Sequence, residues 1–417
     1  MKPVKVIVAG AGSRGMGYSQ YALSYPERMK VVGVAEPRDF YRDQMIRDHD
    51  IPDEYVFNDW KDMAAREKFA DAVIIATQDA MHVEPAVEFS KKGYAILLEK
   101  PMAPTAEGCK KIIQAVKENN ILFAVAHVLR YTSYTRKLKE LIDEGAIGEV
   151  IGIDRVEPVG FWHMAHSFVR GNWRNEEESS FMLLAKSCHD IDWIHYMIGE
   201  HCESISSFGS LRHFRPENAP DGAASRCLDC PTAIESNCPY SAKRIYIQGC
   251  LMTGHTGWPL DVITSDTTMD GVMDALRTGP YGRCVYHCDN DVVDHQVVNM
   301  EFENGKTATF TMMAFTRQEH RSTRIFGTRG EIKADGSTIE LYDFLTDSVE
   351  KIETAASDGS ILGGHGGGDF GLIHDFIEAV ANQDFNMVLT GPEETLASHL
   401  MVFAAEKARL EHRVVKL

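Results

Sequence analysis

Six residues near the N-terminus, Gly10-Ala11-Gly12-Ser13-Arg14-Gly15, limit what this chain can fold into more than any other feature. They follow the continuous apolar run VKVIVAG (4–10), open a helical pattern near Arg14 and fit G-x-G-x-x-G. In that setting Gly10 permits the tight turn, Gly12 lets a pyrophosphate approach the backbone, and Gly15 lets the helix pack close to the strand. Ser13 and Arg14 stand at the helix N-terminus, whose amides favour an anion. The next apolar run, MKVVGVAE (29–36), ends in Glu36, 21 residues after Gly15. A carboxylate there accepts hydrogen bonds from ribose hydroxyls and repels a 2′-phosphate, so NAD is expected ahead of NADP, with Arg38 two residues on as the counter-argument. The plain alternatives are a glycine turn without a ligand and a solvated Glu36.

The same alternation continues. DAVIIAT (71–77), YAILLEK (94–100) and ILFAVAH (121–127) are strand-like and are separated by amphipathic helical patterns, which means a parallel sheet covered on both faces. After about residue 128 the rhythm changes to a helix (133–145), a strand, an aromatic and histidine-rich loop, and a helix from about 181 to 198. From about 294 strands predominate, with Asn304-Gly305 marking a hairpin. At about 150 residues per domain the 417 residues are expected to form two domains. Residues 1–127 would be an α/β Rossmann domain, and 128–417 an α+β domain with a large, mostly antiparallel open sheet. The second domain would carry an insertion at about 214–245, and its C-terminal helices are expected to pack back on the first.

Ala76-Thr77, His82 and Leu97-Leu98-Glu99-Lys100-Pro101 complete a more specific set. With these residues the chain resembles the glucose-fructose oxidoreductase and inositol dehydrogenase (Gfo/Idh/MocA) family over nearly its whole length. Thr77, His82, Glu99 and Lys100 then join the glycine turn, Glu36 and Arg38 as expected cofactor neighbours. The resemblance implies that Lys100 works on the reacting oxygen, that His189 is an acid/base or substrate ligand, and that the second sheet often forms a homodimer or homotetramer interface. Chemically, an ammonium at a strand's C-terminal end can stabilise a developing alkoxide, and a histidine can take the hydroxyl proton.

One departure stands out. Relatives that oxidise polyols often carry Asp four residues before this histidine, where this chain has Ala185, with Lys186 beside it. Lys186, His189 and Asp192 recur at i, i+3 and i+6 and would share one helix face, which makes Lys186 a candidate second catalytic cation and Asp192 a candidate substrate ligand or its hydrogen-bond partner. His163, His166, Trp173 and Arg174 in the aromatic loop, and His365 in GGHGGGD (363–369), are further substrate-binding candidates.

Nine cysteines suggest thiols in a reducing compartment. Cys227, Cys230 and Cys238 have the spacing of a structural zinc knuckle but lack an evident fourth ligand; Cys250, His213 and Cys202 are candidates for it. A net charge of −18 with no basic run excludes nucleic acid and anionic membrane surfaces as partners, and no apolar run is long enough to span a bilayer, so a cytoplasmic protein is expected. The leading expectation is an NAD-dependent oxidoreductase acting on a sugar, cyclitol or glycoside hydroxyl. Its rivals are an NAD-dependent glycoside hydrolase working by transient oxidation, elimination, hydration and re-reduction, and a non-catalytic nucleotide sensor.

Overall fold

The computed structural model describes residues 2–354 and 365–417; the first two glycines of GGHGGGD lie outside them. Six strands build the first sheet: β1 (Val4–Ala9), β2 (Met29–Ala35), β3 (Val56–Phe57), β4 (Ala72–Ile75), β5 (Ala95–Leu98) and β6 (Phe123–Val125). All neighbours are parallel, in the order β3-β2-β1-β4-β5-β6. Every residue of β4 and β5 is buried, because helices cover both faces. These helices include α1 (Ser13–Ser24), α2 (Asp39–His49), α3 (Trp60–Ala65), α4 (Val83–Lys91) and α5 (Ala106–Glu118), the last capped by Thr105, whose hydroxyl accepts from the Gly108 N–H. Strand order reverses between β1 and β4, and a crevice at the carboxyl ends of such strands is where open α/β sheets hold ligands. Gly10, Ala76-Thr77 and Glu99-Lys100 all sit at those ends.

The second sheet has nine strands: β7 (Val150–Pro158), β8 (Cys202–Ser210), β9 (His295–Phe302), β10 (Thr307–Met313), β11 (Ser322–Gly327), β12 (Gly330–Ala334), β13 (Thr338–Asp343), β14 (Ser348–Glu353) and β15 (Val415–Lys416). Their order is β14-β13-β12-β11-β7-β10-β9-β8-β15, antiparallel throughout except between β7 and β10. Burial alternates along β9 and β10, so one face packs on the core while the other is uncovered. The hairpin between them turns at Asn304 and Gly305, both at positive φ.

The C-terminal helices return to the first sheet. Leu372, Phe376 and Ile377 of the helix Gly368–Asn382 share a core with Val6, Val8 and Leu97. The longer helix Pro392–Glu411 packs against α5 and against the helix Cys188–Ile198.

Two sequence expectations need correction. The helix expected from 181 to 198 is two helices, Met182–Ala185 and Cys188–Ile198, with Lys186 and Ser187 in the break. Lys186 is therefore out of register with His189 and Asp192, and the three do not share one face. The insertion is also longer: from the end of β8 to the start of β9 there is no strand among the described residues, only short helical pieces such as Thr232–Glu235, Lys243–Gln248 and Met269–Thr278. Phe214, Tyr246, Leu260 and Leu276 from this stretch join the core of the second sheet.

Candidate active site

The glycine turn has the geometry that a dinucleotide requires. Gly10 sits at φ +90°, and a Cβ there would lie 2.5 Å from the Ala76 carbonyl oxygen. At Gly15 a Cβ would lie 2.0 Å from the Gly10 carbonyl oxygen. Both positions exclude a side chain for packing reasons. Gly12 differs: within 4 Å its Cβ would meet only the Arg38 guanidinium, at 3.3 Å, so the backbone is open to a phosphate from outside. Helix α1 has no side-chain cap, which leaves its first-turn amides, beginning at the exposed Ser13, for an anion.

Glu36 ends β2 nearly buried, with Oε2 accepting the Ala11 N–H at 2.8 Å and Oε1 accepting Arg38 Nε at 2.6 Å. Burial alone would raise its pKa; the hydrogen bonds from Arg38 and Ala11 outweigh that and hold the carboxyl below its ordinary value. Arg38 is thus the partner of Glu36 and keeps a half-exposed guanidinium at the rim.

Arg14 does not serve as the phosphate donor that its position suggested. Its guanidinium joins Glu99 (2.6 Å) to Asp369 Oδ1 (2.5 Å) and also meets the Tyr18 hydroxyl, so it ties α1 to β5 and to the C-terminal helix. Glu99 accepts from Arg14, from the Tyr18 hydroxyl (2.8 Å) and from the Lys100 N–H (2.8 Å). Its carboxylate fixes the backbone of Lys100 through Oε2. His82 is fully buried, with one ring nitrogen 2.8 Å from the Pro101 carbonyl and the other 3.1 Å from that of Thr77, so it clamps the Lys100-Pro101 turn to the end of β4. The Thr77 hydroxyl itself makes only a long bond to the Met81 carbonyl (3.4 Å).

Lys100 Nζ donates to the Ala185 carbonyl at 2.7 Å. This places the ammonium on the last residue of the helix Met182–Ala185, just before the break that precedes the His189 helix. His189 is 5% exposed, and its buried Nδ1 has no partner. Burial, and then the positive charge of Lys100, push its pKa well below the ordinary value, so the ring is neutral at neutral pH and a weaker base than a free imidazole. The His127 and His365 rings lie 5.6 and 6.0 Å from it, centroid to centroid. His365 Nδ1 in turn meets Asp369 Oδ2 at 3.0 Å.

Asp192 is not a substrate ligand. Both oxygens accept from Arg130 at 2.7 Å, Ser398 Oγ adds a bond at 2.8 Å, and the group is 1% exposed. Burial opposes its charge, but Arg130 holds the carboxyl down at about 2. Lys186 is not a free second cation either: it pairs with Glu157 (3.1 Å), which also pairs with Arg321 (2.9 Å), and Arg321 and Arg155 converge on Asp190.

The loop after β7 divides. His163 lies in a short helix, Phe161–His163, with its buried Nδ1 unpartnered. The following π-helical turn, Met164–Arg170, is wholly buried. His166 is therefore a core residue: Nδ1 meets the Tyr246 hydroxyl at 2.8 Å, and the ring stacks on Tyr281 at 4.9 Å. Arg174 is spent on Asp289 (2.9 and 3.0 Å) and Glu178, which pins a surface loop. Trp173 packs beside Phe168 and is 39% exposed.

Residues absent from the sequence reading include Glu157, Arg321, His127, His399 and Asp79. His399 accepts the Met102 N–H at Nε2 (2.9 Å), so the network assigns its proton to Nδ1, which faces the Thr395 carbonyl (2.7 Å). Asp79 lies just past the end of β4, where position alone could have marked it; burial raises its pKa against the pull of His82 and Lys100.

The cysteines do not fit a zinc ion. Cys227, Cys230, Cys238 and Cys284 line one small cavity of about 20 Å³, yet among the described residues no three His, Cys, Asp or Glu are arranged to hold a metal. Cys227 Sγ accepts from the Arg170 guanidinium at 3.5 Å. Of the proposed fourth ligands, His213 meets the Tyr286 hydroxyl and Cys202 the Glu301 carbonyl.

The family description for an oxidoreductase NAD-binding Rossmann fold matches residues 4–127, and that for the C-terminal alpha/beta domain matches residues 139–417. The chain belongs to the Gfo/Idh/MocA oxidoreductase family. The oxidoreductase YteT of Bacillus subtilis is 25% identical over 323 residues, 73% of this chain and 71% of its own length. The 2,7-anhydro-N-acetylneuraminate hydratase of Escherichia coli is 28% identical over 156 residues, 37% of this chain and 41% of its own. An inositol 2-dehydrogenase/D-chiro-inositol 3-dehydrogenase of Halalkalibacterium halodurans is 26% identical over 205 residues, 48% of this chain and 54% of its own. As a Gfo/Idh/MocA oxidoreductase the chain combines an NAD-binding Rossmann domain with a large, mostly antiparallel sheet. Among the described residues no helix is long and apolar enough to cross a membrane.

Burial of neutral imidazoles near this site has a pH consequence. Burial holds His127 and His166 down at about 3. Between the unfolded value of about 6.5 and pH 3 the unfolded chain binds protons that the folded chain refuses, so stability must fall as pH falls through that window. Each histidine contributes a slope of up to ~1.4 kcal/mol per pH unit. Urea unfolding at pH 7, 6 and 5 should show the midpoint dropping, and His166→Phe should flatten the dependence. A midpoint unchanged between pH 7 and 5 would contradict it, since Asp192 and Glu157, both held at about 2, start to lose their contribution only near pH 4.

Proposed function

We propose that this protein is an NAD-dependent dehydrogenase that oxidises, or in reverse forms, a secondary hydroxyl of a sugar, cyclitol or glycoside. The observation that carries this reading is the tether between Lys100 Nζ and the Ala185 carbonyl, which sets an ammonium beside a neutral, buried histidine at the switch-point crevice. A nicotinamide dinucleotide bound along the glycine turn would supply the hydride acceptor. Lys100 stabilises the substrate oxygen as charge develops on it, and His189 takes the hydroxyl proton. Glu36, an ionised carboxylate that already accepts from Ala11 and Arg38, stands at the strand end where ribose hydroxyls would lie and disfavours a 2′-phosphate, so NAD is the preferred cofactor. Exposed Phe208, Ile151 and Val156 on the second sheet support pairing of copies through its uncovered face.

The hydrolase reading drew on the absent Asp at position 185 and on Lys186 as an added cation; the pairing of Lys186 with Glu157 removes the second ground and leaves the first. Net NADH still decides between the two. Purified protein given NAD and a panel of sugars, cyclitols and chromogenic glycosides should accumulate NADH stoichiometrically with oxidised substrate and without free aglycone. Aglycone release with no net NADH would replace the dehydrogenase reading by the hydrolase.

A further inference from the structure

We propose that the strand-free insertion builds an outer carbohydrate subsite, in which Trp258 and Trp162 form a stacking surface for a second ring of the substrate. The proposal rests on the carbohydrate-hydroxyl reading above and narrows its substrate class to two-ring glycosides. Its first element is local. Strand β7 ends beside Glu157, the partner of Lys186, and leaves the sheet at Gly160, whose φ of +89° and 2.6 Å approach to Gln318 exclude any side chain. The Gly160 and Phe161 amides bond the Thr316 hydroxyl and carbonyl, and this turn carries Trp162 and His163, five and six residues after Glu157.

The second element comes from the insertion. Trp258 reaches back to this turn, with its ring 5.2 Å from Trp162 and 5.0 Å edge-on from His163. Its backbone is held by His255, whose ring nitrogen meets the Trp258 carbonyl at 2.7 Å, and its indole also meets the edge of the buried His166. It remains 40% exposed. An indole anchored on its edges with free surface at the mouth of a site has no packing use for that surface, and aromatic faces are what apolar sugar faces stack on. Trp258 lies behind His163, in the turn that follows Glu157; Glu157 holds Lys186, and the preceding residue, Ala185, holds the Lys100 ammonium through its carbonyl. The ring that reacts at Lys100 and His189 is out of its reach; a second ring joined to it is not.

The test pairs substrates that differ by one ring. For whichever hexose gives NADH, the free sugar and its disaccharide or aryl glycoside are compared in wild type, Trp258→Ala and Trp258→Phe. For Trp258→Ala, KM for the two-ring substrate should rise at least about tenfold with kcat within about threefold and one-ring kinetics unchanged, while Trp258→Phe recovers most of the loss. Equal effects on both substrates, or none on either, would overturn the proposal. Should no sugar give NADH, fluorescence titration with maltose, cellobiose and lactose against glucose and galactose still reads the subsite. Saturable quenching by a disaccharide that is lost in Trp258→Phe supports it, and identical responses to one-ring and two-ring sugars reject it whatever the fate of the dehydrogenase reading.

Discussion

Replacing Lys100 with methionine should lower kcat/KM by about a thousandfold or more while nucleotide binding and folding persist. The size follows from the two tasks assigned to one ammonium, stabilising charge on the substrate oxygen and holding a proton within reach of it. Persistence of the fold follows from what Lys100 touches. Its Nζ bond is to a neutral backbone carbonyl, that of Ala185, and its own backbone is fixed by Glu99, so methionine removes the charge without stranding a buried one. Steady-state kinetics on the best substrate, nucleotide titration by fluorescence and a thermal melt together check the expectation. A loss below tenfold with intact binding would mean that Lys100 is not the group that acts on the oxygen.

Asp192→Ala should act in the opposite way, costing about 3–5 kcal/mol of stability, because it leaves the guanidinium of Arg130 buried without its partner. Arg130 is 2% exposed, and its remaining acceptor is the Leu389 carbonyl at 2.7 Å. Urea unfolding should show the loss. The double variant Asp192→Ala/Arg130→Met should recover part of it, since an apolar pair needs no desolvated charge to be compensated. KM of the Asp192→Asn protein, measured at low temperature where it stays folded, should match wild type. A raised KM in a stably folded variant would return Asp192 to the substrate site.

These two variants mark the line between what could be read from residue order and what could not. The glycine turn, Glu36 and Lys100 were legible because each is tied to a strand end, and a strand end in a parallel sheet has one possible meaning for a ligand. Gly10 and Gly15 also report their reasons locally, as positions where a Cβ would strike backbone. His189 was legible only by resemblance, and its helix was read as continuous although the chain breaks at Lys186 and Ser187. The partners of charged groups were not legible at all. Arg14 looked like a phosphate donor and meets Glu99 and Asp369, 85 and 355 residues away. Lys186 looked unpaired and meets Glu157, and Arg174 looked like a sugar ligand and holds Asp289.

By itself, then, the sequence determined the class of both sheets, the place of the glycine turn and the strand end that carries Lys100, because periodicity and turn chemistry act over a few residues. Tertiary structure alone decided which charges are neutralised, which histidines are buried and neutral, and that an inserted segment brings Trp258 against Trp162 and His163. The physical reason is that charge and burial depend on neighbours brought together by folding, and in this chain those neighbours come from tens to hundreds of residues away.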